Sequence, residues 1–211
     1  FLFVQNSGTP TEINFTLTKS YKLVPLVSHV AFLPLNFLRT ILGVKKGSVF
    51  MKRRLPLYAV ATALIVALSL LILIPVPGSN GFVSLIDAGI VVMGLLFGPG
   101  PGLAVGALSG ALVDLLSGYA QWIPFSALVH GLQGYIVGLA RGRATKDQVG
   151  LLIASSVFMV VGYFISNIIL YGTMATGIAG LLPDTFQTAI GLILGYPLSR
   201  RLEKPAQKFL D

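Results

Sequence analysis

Over 211 residues the chain is 55% hydrophobic and only 10% charged, and its mean hydropathy is strongly positive. That balance excludes a soluble globular domain, whose water-facing area needs far more polar side chains, so an all-α membrane protein is the expected class. The lack of cysteine excludes disulfides, zinc-thiolate sites and thiol nucleophiles. The net charge of +8 raises nucleic-acid binding, which the positions of the charges must decide.

Residues 1–50 come first and fit a membrane span poorly. Leu23–Val44 is fairly apolar but carries Pro25, His29, Pro34 and Arg39. As a seventh span it would put Lys19 and Lys22 on the side opposite the other basic clusters. It also lacks the short apolar core and small-residue cleavage site of a secretory signal. Met51-Lys-Arg-Arg reads as a natural start, so residues 1–50 are expected to be an upstream extension, natural or introduced, or else an interfacial segment. Residues 51–211 form the functional body.

From Met51 the sequence divides into six apolar stretches, roughly Leu57–Pro75, Phe82–Phe97, Leu103–Leu116, Phe125–Ala140, Val149–Tyr171 and Thr176–Leu198. A helical span needs about 20 residues. The first and fifth meet that length, whereas the second and third are short enough to be tilted or partly shielded. Between these two, Gly98-Pro99-Gly100-Pro101-Gly102 is expected to be a tight turn that cannot continue a helix. Lys52, Arg53 and Arg54 precede span one, Arg141, Arg143 and Lys146 lie between spans four and five, and Arg200, Arg201, Lys204 and Lys208 follow span six. With six spans all three clusters fall on one side, which places both the N- and C-termini in the cytoplasm by the positive-inside rule. The +8 is then a topology signal, and no nucleic-acid partner is expected.

Polar residues within the spans sit towards the other side. Asp87 and Asp114 lie near the outer ends of spans two and three, and His130 and Gln133 share one face of span four. Tyr163, Asn167 and Tyr171 form a ridge at the end of span five, Asp184 and Gln187 open span six, and the outer loops add Asn80, Tyr119, Gln121 and Trp122. A carboxylate at the bilayer centre costs about 2.5–3.5 kcal/mol on the insertion scale, so such groups face protein or water. Polar lining confined to the outer half describes a cavity closed towards the cytoplasm, not a pore. Taken singly, the aspartates could be interfacial caps, and Trp122 and Tyr171 could belong to an aromatic belt.

Small residues make a second pattern. Gly102, Gly106 and Gly110 form a ridge that ends in Asp114 on the same face, so span three is expected inside the bundle. Ala59, Ala63 and Ala67 recur at spacing four on span one, which has no deep polar group, so this ridge is expected to face another protein. No phosphate loop, nucleophile elbow, zinc-helix motif or paired deep carboxylates occur, so neither an enzyme, a metal site nor a cofactor is expected.

Several stretches together carry a family resemblance: Ser84-Leu-Ile-Asp-Ala-Gly89, Leu95-Leu-Phe-Gly-Pro99, Gly106-Ala-Leu-Ser-Gly-Ala-Leu-Val-Asp-Leu-Leu-Ser-Gly-Tyr119, Trp122-Ile-Pro-Phe125 and His130-Gly-Leu-Gln-Gly134. The region Met51–Asp211 resembles the substrate-binding S component of an energy-coupling factor (ECF) vitamin transporter, in the branch handling hydroxymethylpyrimidine, riboflavin or related compounds. His130 and Gln133 stand where that branch has Lys and Glu in a Lys-Gly-Leu-Glu-Gly pattern. The resemblance implies a six-helix substrate-binding domain in a bacterial plasma membrane, with a pocket near the outer surface. It also implies a membrane coupling subunit, met by the alanines of span one, and two cytoplasmic ATPase subunits. The expected substrate is a small vitamin or precursor such as hydroxymethylpyrimidine, pyridoxine or a thiamine-like compound, with the loop Pro75–Phe82 as a lid. The rival reading is a self-sufficient secondary transporter with His130 and Asp114 as proton carriers.

Overall fold

The computed structural model describes residues 49–75 and 82–207; the readings for residues 1–48, for Asn80, for the tip of the expected lid and for Lys208 fall outside that range. Among the described residues the chain forms six α-helices: α1 (Val49–Leu71), α2 (Ile86–Phe97), α3 (Pro99–Leu116), α4 (Ile123–Leu139), α5 (Thr145–Tyr171) and α6 (Met174–Gln207). A 3₁₀ turn, Ala120–Trp122, leads into α4. Two short strands, β1 (Ile74–Pro75) and β2 (Phe82–Val83), pair antiparallel with Ile74 opposite Val83.

Three of the helices, α3, α5 and α6, are long and apolar enough to cross a membrane, while the apolar part of α1 and all of α2 are shorter. At 12 residues α2 rises only about 18 Å, less than the hydrocarbon thickness of about 30 Å. The glycine-proline run is a turn at one residue only. Gly98 adopts φ 93°, and α3 starts at once on Pro99. The expectation of a longer break missed that proline at the first helical position loses no hydrogen bond, because its N–H would have no partner within the helix. At the other extreme α6 runs 34 residues through Pro183, Pro197 and Pro205, well past the expected stop at Leu198.

Glycine decides how the helices meet. A Cβ added to Gly102, Gly106 or Gly110 would meet the backbone oxygen of Gly134, His130 or Ser126 respectively, at 2.3, 2.3 and 2.7 Å. The glycine ridge of α3 therefore lies against the backbone of α4, inside the bundle as expected. Helix α6 approaches α2 in the same way, with Gly191 on the Cβ of Asp87 and Gly195 on the carbonyl oxygen of Ala88. Around these contacts Ile65, Val66, Ile86, Ile90, Met93, Val105 and Val113 bury one apolar cluster, and Val91, Val137 and Leu152 bury another. On α1 the inward positions are Thr62, Ile65, Val66 and Ser69, while Ala59, Ala63 and Ala67 are exposed.

The two ends of the bundle differ in character. Arg141 and Arg143 of the α4–α5 connection line a common cleft with Arg200 and Glu203 of α6. Two of the three basic clusters are thus at one end, and Trp122 begins α4 at the other.

These contacts make a testable prediction. Gly106→Ala should destabilise the folded protein by about 1–3 kcal/mol, the usual cost of an overpacked site, because the new methyl group meets backbone that cannot rotate away. Gly150→Ala has open space around its Cβ and should be neutral or stabilising by up to about 1 kcal/mol through helix propensity. Thermal unfolding in detergent compares them, and equal stability of the two variants would contradict the close packing of α3 on α4.

Candidate functional site

At the Trp122 end the helices part around a cavity of ≈ 60 Å³. Its walls come from every helix except α1. Helix α3 contributes Gly110, Val113 and Asp114, and α4 contributes Ser126 and His130, one helical turn apart. Tyr163 and Asn167 come from α5, and Gly180, Pro183, Asp184 and Gln187 from α6. Phe82, Ser84 and Ile86 close one side, and Tyr119 and Trp122 the rim.

The local hydrogen bonds explain why these side chains stand where they do. Tyr163 donates from Oη to Ser126 Oγ at 2.7 Å, tying α5 to α4 across the cavity. The backbone N–H of Ser84 donates to Gln187 Oε1 at 2.8 Å, which fixes α6 against the start of α2. Asn167 donates from Nδ2 to the Tyr163 carbonyl one turn earlier, at 3.0 Å. Trp122 packs its ring against Tyr163 at 5.8 Å and Tyr171 at 6.0 Å, and donates its indole N–H to Tyr171 Oη at 3.1 Å. His130 lies 5.4 Å from the Tyr163 ring, centroid to centroid. The cavity therefore offers aromatic faces together with carboxylate, amide, hydroxyl and imidazole groups. One oxygen of Asp114 and one of Asp184 have no protein partner although both atoms are buried. Such oxygens are available to a bound molecule, because leaving them unpaired costs free energy.

The cavity collects eight of the expected residues: Asp114, Tyr119, Trp122, His130, Tyr163, Asn167, Asp184 and Gln187. Asp87 and Gln133 stand behind His130. Gln133 donates from Nε2 to Asp87 Oδ1 at 2.5 Å and meets His130 Nδ1 through Oε1 at 3.0 Å. Tyr171 holds Trp122 from outside the lining, and Gln121 is exposed beside it. Sequence reasoning missed Phe82, Ser84, Ser126 and Pro183. Ser126 had a legible signal, being four residues before His130 on one face of α4. Phe82 did not, since a hydrophobic residue at the end of a loop looks like any other. Among the described residues no cluster of three or more His, Asp or Glu side chains is placed to hold a metal ion.

A helical bundle whose described residues enclose a small cavity of aromatic and polar side chains is suited to holding a small molecule. Comparison with known proteins defines it further. Residues 49–204 match the family model described as ECF-type riboflavin transporter, S component. The chain belongs to that family, which is a family of transporter components and not of enzymes. A thiamine precursor transporter, HmpT, from Lactococcus lactis subsp. cremoris (strain MG1363), is 36% identical over 72% of this chain and 89% of its own length. An uncharacterised protein from Pyrococcus woesei is 31% identical over 68% of this chain and 97% of its own length. The solved S component of a bacterial ECF transporter superimposes with a TM-score of 0.57 at 21% identity, covering 73% of this chain and 97% of that one, which shows the shared fold. S components work with an energy-coupling module in the membrane.

The chain's single tryptophan sits in the cavity rim. Tyr171→Phe should leave the Trp122 N–H without its partner and lower stability by about 0.5–1.5 kcal/mol, the net worth of one hydrogen bond. It should also alter the Trp122 emission spectrum of the folded protein. An unchanged melt together with an unchanged spectrum would mean that the Trp122–Tyr171 contact does not hold the rim.

Proposed function

We propose that this protein is the high-affinity substrate-binding subunit of an ATP-driven ECF importer, and that its ligand is a single-ring vitamin precursor of the hydroxymethylpyrimidine kind. The observation that carries the reading is the cavity itself. Its aromatic walls at Trp122 and Tyr163 suit a flat ring, and Asp114, Asn167, Asp184 and His130 converge on that space with hydrogen-bonding groups for ring nitrogens, an amine or a hydroxyl. The family model carries riboflavin in its description, whereas the relative HmpT is a thiamine precursor transporter. The second is favoured, because HmpT is 36% identical to this chain over 89% of its own length. Pyridoxine and other single-ring compounds of the same polarity remain within the class. A ligand of about ten heavy atoms held at nanomolar affinity needs about 1.2 kcal/mol per atom, near the ceiling for very small ligands, and only an enclosed, fully paired site supplies that.

The topology proposed with this role has six spans with both termini in the cytoplasm of a bacterium. The α4–α5 loop and the end of α6 bring their arginines to one end, opposite the cavity, and the positive-inside rule assigns that end to the cytoplasm. The partners are a membrane coupling subunit and two cytoplasmic ATPases. The exposed alanines of α1, Ala59, Ala63 and Ala67, allow the close backbone approach that holds helices together in lipid.

Separating binding from transport tests this role. Asn167→Ala should weaken binding of 4-amino-5-hydroxymethyl-2-methylpyrimidine by about 1–3 kcal/mol, the cost of leaving buried polar groups unpaired. Ala63→Trp should leave that affinity unchanged while abolishing ATP-driven uptake and co-purification of the ATPases. Uptake by this chain alone, in vesicles without any ATPase, would instead establish the secondary transporter with His130 and Asp114 carrying protons.

A further inference from the structure

Behind the cavity wall, three side chains form a directional relay across two helices. Asp87 is 1% exposed, Gln133 1% and His130 3%, yet only His130 reaches the cavity. Asp87 stands in the first turn of α2, where the helix dipole favours a carboxylate, and Gly191 packs directly on its Cβ. Its Oδ1 accepts from Gln133 Nε2 at 2.5 Å. That direction holds for the carboxylate and equally for an acid carrying its proton on Oδ2, since in both Oδ1 can only accept. The Gln133 amide is thereby oriented, with Oε1 turned to His130 Nδ1 at 3.0 Å. Two acceptors cannot share a hydrogen bond, so Nδ1 must carry the proton. In a neutral imidazole the other nitrogen, Nε2, then holds a lone pair. Among the described residues Nε2 has no hydrogen-bond partner of its own.

We propose that the cavity reads a hydrogen-bond donor on its ligand through Nε2 of His130, and that Asp87, acting through Gln133, fixes that polarity. This deepens the binding role proposed above and rests on it for the identity of the ligand. The tautomer claim concerns the empty protein and stands apart. The group selected is an amine or hydroxyl hydrogen, not a carbonyl oxygen. A Lys at position 130 would present only donors, so His130 with Gln133 reverses what this wall of the cavity demands. Asp87 and Gln133 are positioning residues and touch no ligand. The other titratable groups facing the cavity with His130 are Asp114 of α3, Tyr163 of α5, Asp184 of α6 and Tyr119 at the rim. A doubly protonated imidazole held by these carboxylates is the competing state.

Nitrogen NMR of the ¹⁵N-histidine-labelled protein in detergent distinguishes the states. The chain has two histidines, so His29→Gln leaves His130 as the sole signal. The expected spectrum has a protonated, pyrrole-like Nδ1 and a bare, pyridine-like Nε2. A protonated Nε2, alone or with Nδ1, overturns the proposal without any further variant. In Asp87→Asn the new amide can present either its oxygen or its NH₂ to Gln133, and the single tautomer should give way to a mixture. Retention of the pure tautomer there would remove Asp87 from the relay. Binding supplies the second reading, with 4-amino-5-hydroxymethyl-2-methylpyrimidine and two analogues, the dimethylamine and the methyl ether, each lacking one donor. At least one analogue should bind about tenfold or more weakly, as a polar site left unpaired requires, and Gln133→Leu should shrink that penalty. Equal binding of all three compounds would contradict donor recognition. If the expected tautomer is present but the pyrimidine does not bind, the relay stands and the pyrimidine reading fails.

Discussion

Everything at the cavity depends on how closely α3 and α4 approach. In lipid no hydrophobic force drives one apolar helix against another, so association comes from close packing and interhelical hydrogen bonds. Glycines 102, 106 and 110 let the α3 backbone rest on the carbonyls of Gly134, His130 and Ser126. The residues whose carbonyls are touched include two that line the cavity, so the packing contact and the site share the same stretch of α4. The position of His130 is set by backbone against backbone, which is far stiffer than contact through flexible side chains. Asp114, one turn beyond Gly110, is carried to the same place. Gly191 and Gly195 repeat the device between α6 and α2, and it is this second approach that seats Asp87 behind the wall.

A consequence is a molecule with two unlike ends. The cavity end spends its hydrogen bonds across helices, from α5 to α4, from α4 to α2, and from the start of α2 to α6. The opposite end gathers arginines on a loop and on the last turns of α6. The buried apolar side chains gather into two clusters, one around Ile65, Ile90 and Val105 and one around Val91, Val137 and Leu152.

How far the sequence alone could be read differs by element. Apolar runs located the six helices of the described residues, because a long apolar run bounded by glycine, proline or charge has few alternatives. Their ends were harder. Gly98 and Pro99 look alike as helix breakers, yet one makes the turn and the other opens α3. For α6 the apolar stretch ends near Leu198, but the helix continues through its basic residues to Gln207. The ridge at Tyr163, Asn167 and Tyr171 was legible as one face of a helix. That Tyr171 serves Trp122 while its two neighbours line the cavity depends on where α4 begins, and no periodicity encodes that. His130 and Gln133 were readable as a pair, but Asp87 joins them only through tertiary packing.

The central claim is that this cavity holds a single-ring vitamin precursor tightly. Mass spectrometry of small molecules released from the protein purified out of cells grown in rich medium tests it most directly. The account predicts one compound in near-equimolar amount, a single-ring amine or alcohol of about ten heavy atoms, as tight binding by an enclosed site requires. Recovery of a flavin or another fused-ring compound, or of nothing above the level found with an unrelated membrane protein, would contradict it.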